Sequence, residues 1–336
     1  MKPGGAHPDQ HAQERPWRTQ PTLPRFAAID IGSDTVHLVI ADLAGPPASG
    51  TVKTVHSESA LLELGRVVDR RGRITEAAEA DVARALARMV HRARKSGATI
   101  LIAATEASRR AANGQAVLDR LAKRLDVPIR LLAPEREAQL GFAGVRPDLP
   151  ARGSLLVVDS GGASTEVSLT VGRRIATAVS LPVGAALLAA DLPGDPPAPI
   201  DWALTSIRIG ATLAMLPVGH PRHAFATGGT AHGLLALNAG RNRHEAAPRM
   251  DVTLAQLEKT AAALLARSAA RIGADSGIQP GRVALLAPGL LILAAILRHY
   301  QLAEFHVLES GVREGMIRAA ALDPAGWWLV PAAGSA

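Results

Sequence analysis

Asp30 closes an apolar run, Phe26-Ala27-Ala28-Ile29, and is followed by Ile31-Gly32-Ser33-Asp34-Thr35 and a second apolar run to Ile40. An ionised carboxylate at the end of an oily strand is costly unless it is paired, hydrogen-bonded or bound to a metal. Asp30 is therefore either a turn cap or part of a site. The same pattern returns at Leu155–Leu169, LLVVDSGGASTEVSL, where Asp159 aligns with Asp30, Gly161 with Gly32 and Gly162 with Ser33, at an offset of 159 − 30 = 129 residues. A repeated strand, Asp-x-Gly turn and strand favours the site over the cap. Two such hairpins facing one another would each offer a carboxylate, together with small-residue turns whose backbone N–H groups and hydroxyls suit phosphate. Gly32, Ser33 and Asp34 form the first turn; Gly161, Gly162 and Ser164 belong to the second, with Glu166 just beyond it.

The surrounding pattern supplies elements to hold these turns. Thr75–Lys95 reads as a helix, with Thr75 as N-cap, Glu76 and Glu79 near its start, and Gly97 as its stop. Thr99–Ala103 is a short buried strand that runs into Thr105-Glu106-Ala107-Ser108-Arg109, which places the Arg109 cation at the C-terminal edge of a sheet. A helix through Leu118–Leu125, a strand at Pro128–Leu132 and a helix opened by Pro134-Glu135-Arg136-Glu137 complete the first half. Pro46-Pro47 ends the first hairpin region, and Gly144–Gly153 reads as the linker between halves. Amphipathic helices are expected over 201–216 and 253–268 and an oily one over 283–297, with a strand at 223–226 leading to the Gly-rich turn Thr227-Gly228-Gly229-Thr230. Domains are placed at 25–146 and 147–325, between a disordered tail at 1–24 and a C-terminal tail at 326–336.

Composition bounds the partners. The 336 residues are 48% hydrophobic, enough for two packed bodies, and only 3% aromatic, so stacking platforms for single-stranded nucleic acid are scarce and no nucleic-acid partner is expected. The net charge of +7 suits any polyanion. Cysteine is absent, which excludes disulfides, thiolate metal sites and a cysteine nucleophile. Val283–Leu297 is short for a membrane span, and the N-terminus has no apolar signal region, so a cytoplasmic protein without a membrane partner is expected. His7 and His11 sit among helix breakers, and His220, His223 and His232 lack the spacing of a metal motif.

The two hairpins, Thr105–Arg109 with Asn113, Glu137-Ala138, Leu181-Pro182-Val183-Gly184, Thr227–Thr230, Pro288-Gly289-Leu290 and Ser310–Gly315 resemble, in order and spacing over about 26–320, the exopolyphosphatase and guanosine pentaphosphate phosphohydrolase (Ppx/GppA) family. The resemblance implies an α/β fold with duplicated ribonuclease H-like domains of the actin-like ATPase and sugar kinase superfold, here in the short two-domain form, with a cleft between the domains. It implies Mg²⁺-dependent hydrolysis of a terminal phosphoanhydride of inorganic polyphosphate or of guanosine pentaphosphate. Residue by residue, Glu137 matches the general base and Arg109 the residue that holds phosphoryl oxygens. Asp159 and Glu166, with Asp30, match the acidic groups for Mg²⁺, and the glycines of both turns, with Ser33, Asp34, Ser164, Gly228 and Gly229, match phosphate-side positions. Phosphoryl transfer asks for this mixture of positioning, charge neutralisation and a base for water.

The sequence also departs from the family pattern. Asp34 stands where Asn is usual and adds a negative charge beside phosphate. Ser160 replaces an aliphatic residue, Ala163 replaces a glycine whose backbone would be strained by a Cβ at positive φ, and Ala133-Pro134-Glu135-Arg136 replaces a Ser-Gly-x-Glu approach to the base. These changes motivate an alternative, a non-catalytic protein that binds polyphosphate or a guanosine alarmone. An ATP-using kinase of the same superfold is a further alternative, disfavoured by the Arg109 and Glu137 segments. A homodimer is compatible with the oily helix.

Overall fold

The computed structural model describes residues 23–240 and 249–329, so most of the N-terminal tail, with His7 and His11, lies outside the described residues. In the first half, β1 (Arg25–Ile31), β2 (Thr35–Ala44) and β3 (Thr51–Leu61) form an antiparallel meander, followed by α1 (Leu64–Arg71) and α2 (Glu76–Lys95). β4 (Thr99–Ala104), α3 (Glu106–Arg110), α4 (Gly114–Leu125), β5 (Ile129–Leu131) and α5 (Pro134–Val145) complete it. The sheet order is β3-β2-β1-β4-β5, with β4 and β5 parallel to β1. Pro46-Pro47 lies between β2 and β3; the first hairpin itself turns at 32–34.

The second half repeats this plan with β6 (Ser154–Ser160), β7 (Thr165–Val171) and β8 (Arg174–Leu181), then α6 (Ala185–Ala190), α7 (Pro199–Thr212), β9 (His223–Thr227) and α8 (Gly228–Ala239). β10 (Arg249–Thr253), α9 (Leu254–Leu265), α10 (Ala269–Ser276), α11 (Pro280–His299), β11 (Glu304–Leu308) and α12 (Val312–Leu322) follow. Its six-stranded order is β10-β11-β9-β6-β7-β8, the first sheet's order with one antiparallel edge strand added. The registers repeat as well: Asp30 pairs with His37 across β1–β2, and Asp159 with Glu166 across β6–β7. This is the duplicated actin-like α/β fold.

Each sheet has its own core. Ile29, Leu38, Leu86, Met89 and Ile102 pack on one face of the first sheet. Leu156, Val167, Leu290, Leu293 and Phe305 belong to the second, where α11 is the central helix. That helix is 20 residues long, longer than its oily stretch suggested, and passes a length-and-composition test for a membrane span, but Val283, Leu286, Leu290, Leu293 and Leu297 along it are buried against neighbours. It reads as a core helix of the second domain.

Two points differ from the sequence reading. Gly144 and Val145 are the last turn of α5 and no linker: Val145 is fully buried, and a Cβ on Gly144 would overlap the Gly311 carbonyl. Nor does the chain stay in its second domain after 147. Met316, Ile317 and Ala320 of α12, and Trp327 in the expected C-terminal tail, pack against Phe26, Ala28 and Leu101 of the first sheet, while Arg136 donates to the Trp327 carbonyl. The opposite traffic is carried by α5, whose Phe142 and Val145 pack on Leu155, Val157 and Phe225 of the second sheet. The two helices cross where Gly144 meets Gly311 and Gly315 meets Leu140, so small residues bring the two backbones together between the sheets. Apolar burial drives this exchange, because the outward face of α12 would otherwise expose Met316 and Ile317.

Candidate active site

Both hairpin turns are built alike. Gly32 N–H donates to the Thr35 carbonyl and Gly161 N–H to that of Ser164, each at 3.0 Å. The turn carbonyls are then tied back by the helix that follows: Gly65 N–H donates to Ser33 O at 2.6 Å, and Ala185 and Ala186 N–H donate to Gly161 O and Gly162 O at 3.0 and 2.8 Å. The turns meet, since the Asp34 carboxylate occupies the space that a Cβ on Gly162 would need. Burial pushes Asp34 up to about 6, with Glu63 and Asp69 raising it and Arg66 opposing.

Behind the turns lies a cluster of acids. The Asp159 carboxylate is seated between Gly141 and Gly228; a Cβ on Gly228, whose φ is 87°, would strike it. Burial pushes Asp159 up to about 7, helped by the negative charges of Glu166 and Asp30 and opposed by Arg313. Asp30 is pushed by burial up to about 6, opposed by Arg313 and Arg109, and its Oδ1 is buried without a hydrogen-bond partner. Burial also raises Glu166, while hydrogen bonds from Ser180 (2.7 Å) and Ser164 stabilise its ionised form.

Glu137, in the first turn of α5, faces this group. Arg109 Nη1 donates to Glu137 Oε2 at 2.7 Å and to the Leu132 carbonyl at 2.8 Å, and Nη2 donates to Glu106 at 3.0 Å. Burial holds Glu137 well above the usual carboxylate range, and Glu166 and Asp30 add to this against the pull of Arg109. The structure thus brings Asp30, Arg109, Glu137, Asp159 and Glu166 together where β1, β4, β5 and β6 end and β7 begins, with Ser164 bonded to Glu166. Gly32, Ser33, Asp34, Gly161 and Gly162 form the two turns beside them. Gly228 makes room for Asp159, and Gly229 lines an adjoining cavity of about 220 Å³ together with Asp34, Gly161, Gly162, His232 and Arg282.

Other participants come from matched segments in which the sequence reading assigned them no role. Arg313 enters from α12, is 8% exposed, has a buried Nε without a partner, and acts electrostatically on Asp30, Asp159, His37 and His232. His37 occupies the first hairpin's counterpart of Glu166; the 129-residue offset marks that position. Its ring lies 6.2 Å from that of His232, and burial beside Arg313 holds both in the neutral form, His232 at about 4. Asn113 is a staple away from the acids, bonding the Ile74 N–H and C=O at 2.9 Å each.

Two of the sequence's oddities are resolved by packing. Ser160 is fully buried and its hydroxyl bonds that of Thr230 at 3.0 Å, so it links β6 to α8. Ala163 is not among the non-glycine residues at positive φ, which are Glu63, Asp126 and Gln301 among the described residues, so its Cβ brings no backbone strain.

The sequence profile of the Ppx/GppA phosphatase family matches residues 46–323. The chain belongs to the Ppx/GppA phosphatase family. Exopolyphosphatase 1 of Mycobacterium tuberculosis is 32% identical over 303 residues, covering 87% of each chain. An exopolyphosphatase structure from Cytophaga hutchinsonii superposes with a TM-score of 0.78 at 22% identity, covering 89% of this chain and 98% of its own. The Aquifex aeolicus Ppx/GppA family member gives 0.74 at 24% identity, covering 90% and 99%. This family member is a phosphatase of the hydrolase class.

A metal fits the acid cluster of this Ppx/GppA fold. Asp30 Oδ1 is buried without a hydrogen-bond partner, and the charges of Glu166 and Asp30 push up both Asp159 and Glu137 against the pull of Arg313 and Arg109. Among the described residues, no three His or carboxylate side chains converge as a ready-made cage. That donor set suits Mg²⁺, which retains several waters and takes one or two carboxylates directly, over a metal that needs a full protein shell.

Proposed function

We propose that the protein hydrolyses the terminal phosphoanhydride bond of inorganic polyphosphate, releasing orthophosphate, in a Mg²⁺-dependent reaction. The observation that carries this reading is the Arg109–Glu137 contact, which joins a fixed cation to a buried carboxylate beside the acid cluster and the paired phosphate turns. Exopolyphosphatase 1, the relative named above, supplies the substrate class.

Glu137 is the base. It accepts a proton from water as the water oxygen bonds to the terminal phosphorus and the bridging P–O bond breaks, the shortened chain leaving with the electron pair. Burial makes Glu137 a stronger base than a solvated carboxylate, and Arg109 orients it. Arg109 also presents guanidinium N–H groups to the equatorial oxygens, where charge is greatest in the transition state. The backbone turns at Gly32-Ser33 and Gly161-Gly162, with Ser164, hold the phosphate in line with the water. Asp159, Glu166 and Asp30 would hold Mg²⁺, directly or through its waters. When bound, the ion neutralises phosphate charge and the mutual repulsion of these acids.

Guanosine pentaphosphate is the second candidate substrate, favoured by one feature: the cavity beside the turns has an apolar wall of Ala236, Ile278, Leu285 and Leu286, suited to a nucleoside. A non-catalytic role loses support from the benign packing of Ser160 and Ala163. A panel of polyphosphates of graded length and guanosine pentaphosphate, assayed for orthophosphate with and without Mg²⁺, tests the reading. Release from polyphosphate that EDTA abolishes is expected; binding without release in any metal would overturn it.

A further inference from the structure

The connection from β5 into α5 carries two parts of the catalytic apparatus: the Leu132 carbonyl that accepts from Arg109, and Glu137 itself. The start of the helix is not held from within. Ala133 at the N-cap makes no side-chain capping bond, so the acceptor that would seat the first turn is missing. Support comes from the other end of the chain. Trp327 and Trp328 lie beyond residue 323, where the match to the family profile ends, yet they reach this connection at both of its ends.

The segment after α12 is a built turn. Asp323 Oδ1 accepts from the N–H groups of Ala325 and Gly326 at 3.1 and 2.9 Å, and Leu329 N–H donates to the Gly326 carbonyl at 2.9 Å. On one side of it Arg136, a buried residue of the first turn of α5, donates from Nε at 2.9 Å and from Nη2 at 2.5 Å to the Trp327 carbonyl, while Nη1 donates to Gln139 at 3.1 Å. On the other side the Arg130 guanidinium stands 3.7 Å over the centre of the Trp328 ring, a cation–π contact. Between the two, the Trp327 indole is 5% exposed and shares a packed core with Leu132 and Leu140. Two charged donors converging on one carbonyl fix direction as well as distance, which apolar burial of the indoles alone would not require.

We propose that Arg136 and the Trp327-Trp328 segment are positioning residues: together they strap down the start of α5 and so set where Glu137 points relative to Arg109 and the attacking water. The proposal rests on the reading of Glu137 as the base. Arg136 and Leu140 lie one turn apart on the same side of α5, and Glu137 is about 100° round the helix from Arg136. Anchoring the first two therefore fixes the rotation of the helix about its own axis. At the radius of a glutamate carboxylate, roughly 5–6 Å from that axis, a turn of about 10° moves the carboxylate by about 1 Å. A displacement of that size at a reacting group costs up to ~10²-fold in rate. The same segment holds Arg130, two residues before the carbonyl that fixes Arg109, so both partners of the Arg109–Glu137 contact are referred to one support.

The test compares the full-length protein with Arg136→Met, Trp328→Leu and the double variant, by hydrogen exchange and by orthophosphate release from polyphosphate with Mg²⁺. Arg136→Met removes the donors and keeps the stem; Trp328→Leu removes the ring under Arg130 at a half-buried position, so it reads the strap even where Arg136→Met does not fold. In each single variant exchange should quicken at the amides of 137–140, with that of α2 unchanged. kcat should fall about tenfold or more while KM for polyphosphate stays within about twofold, because the phosphate turns are untouched and only the base has moved. The double variant should lose no more than the worse single one, since both changes release the same strap. Unchanged exchange at 137–140 in the folded variants would overturn the strap. Faster exchange with unchanged kcat, a loss carried by KM, or losses that multiply in the double variant would overturn the positioning role. Unchanged turnover in Glu137→Gln would instead remove the base, and the exchange at 137–140 would still decide the strap.

Discussion

Replacing Asp159 by Asn should change how the protein's stability depends on pH, in a direction the geometry dictates. Burial among Glu166 and Asp30 raises Asp159 from 3.8 to about 7 in the folded protein. A carboxyl that binds its proton more tightly when folded contributes stability at pH below its unfolded value. That contribution is lost progressively as pH rises, and is gone above the folded value. Between pH 5 and pH 7 this spans two decades of proton activity at about 1.4 kcal/mol each, so about 3 kcal/mol is the ceiling. The neighbouring acids share that proton affinity, which lowers the expected effect to ~1–2 kcal/mol, or ~2–6 °C in melting temperature. The parent protein alone would hide it. His37 and His232 are half-buried and held neutral, so they cost stability as pH falls below about 6.5 and oppose the acids in the same window. Both histidines are present in Asp159→Asn, so the difference in melting temperature between the two proteins in EDTA isolates the acid. The variant should gain on the parent from pH 5 to pH 8. Mg²⁺ should close that gap at pH 8 by stabilising the parent. A gap that is flat in pH, or that narrows towards pH 8 in EDTA, would refute the reasoning.

Other substitutions probe the parts separately. Gly228→Ala places a Cβ against the Asp159 carboxylate at φ 87° and should cost ~1–3 kcal/mol by chemical denaturation, together with most of the phosphatase activity. Gly315→Ala, at the crossing of α12 over α5, should destabilise by a similar ~1–3 kcal/mol through overpacking, with the loss visible in urea unfolding. Arg109→Lys keeps the charge but not the fork that reaches Glu137, Glu106 and the Leu132 carbonyl, so phosphate release should fall ~10²-fold or more; near-normal turnover in that variant would remove Arg109 from the mechanism.

The repeated hairpin was readable because an Asp at the end of an oily strand is rare and its recurrence at a fixed offset rarer still. Once both turns were placed, the strand–helix positions of Arg109 and Glu137 followed from local pattern. What could not be read was the exchange of helices between the halves. The apolar face of α12 is the same whether it packs on its own sheet or on the other, and only the fit of Gly144 to Gly311 and Gly315 to Leu140 decides. Arg313 lies in the matched Ser310–Gly315 segment, but its approach to Asp30 and Asp159 depends on where α12 lands. Ser160 looked like a defect in a phosphate loop, and its meaning lay in Thr230, 70 residues away.

The most direct test of the catalytic reading is orthophosphate release from polyphosphate with Mg²⁺, measured side by side for the parent protein and Glu137→Gln. The amide keeps the size of the side chain and can still accept from Arg109, but cannot take a proton from water. Glu137 as base predicts a loss of ~10²–10⁴-fold in turnover with polyphosphate binding retained; unchanged turnover in the variant would contradict it.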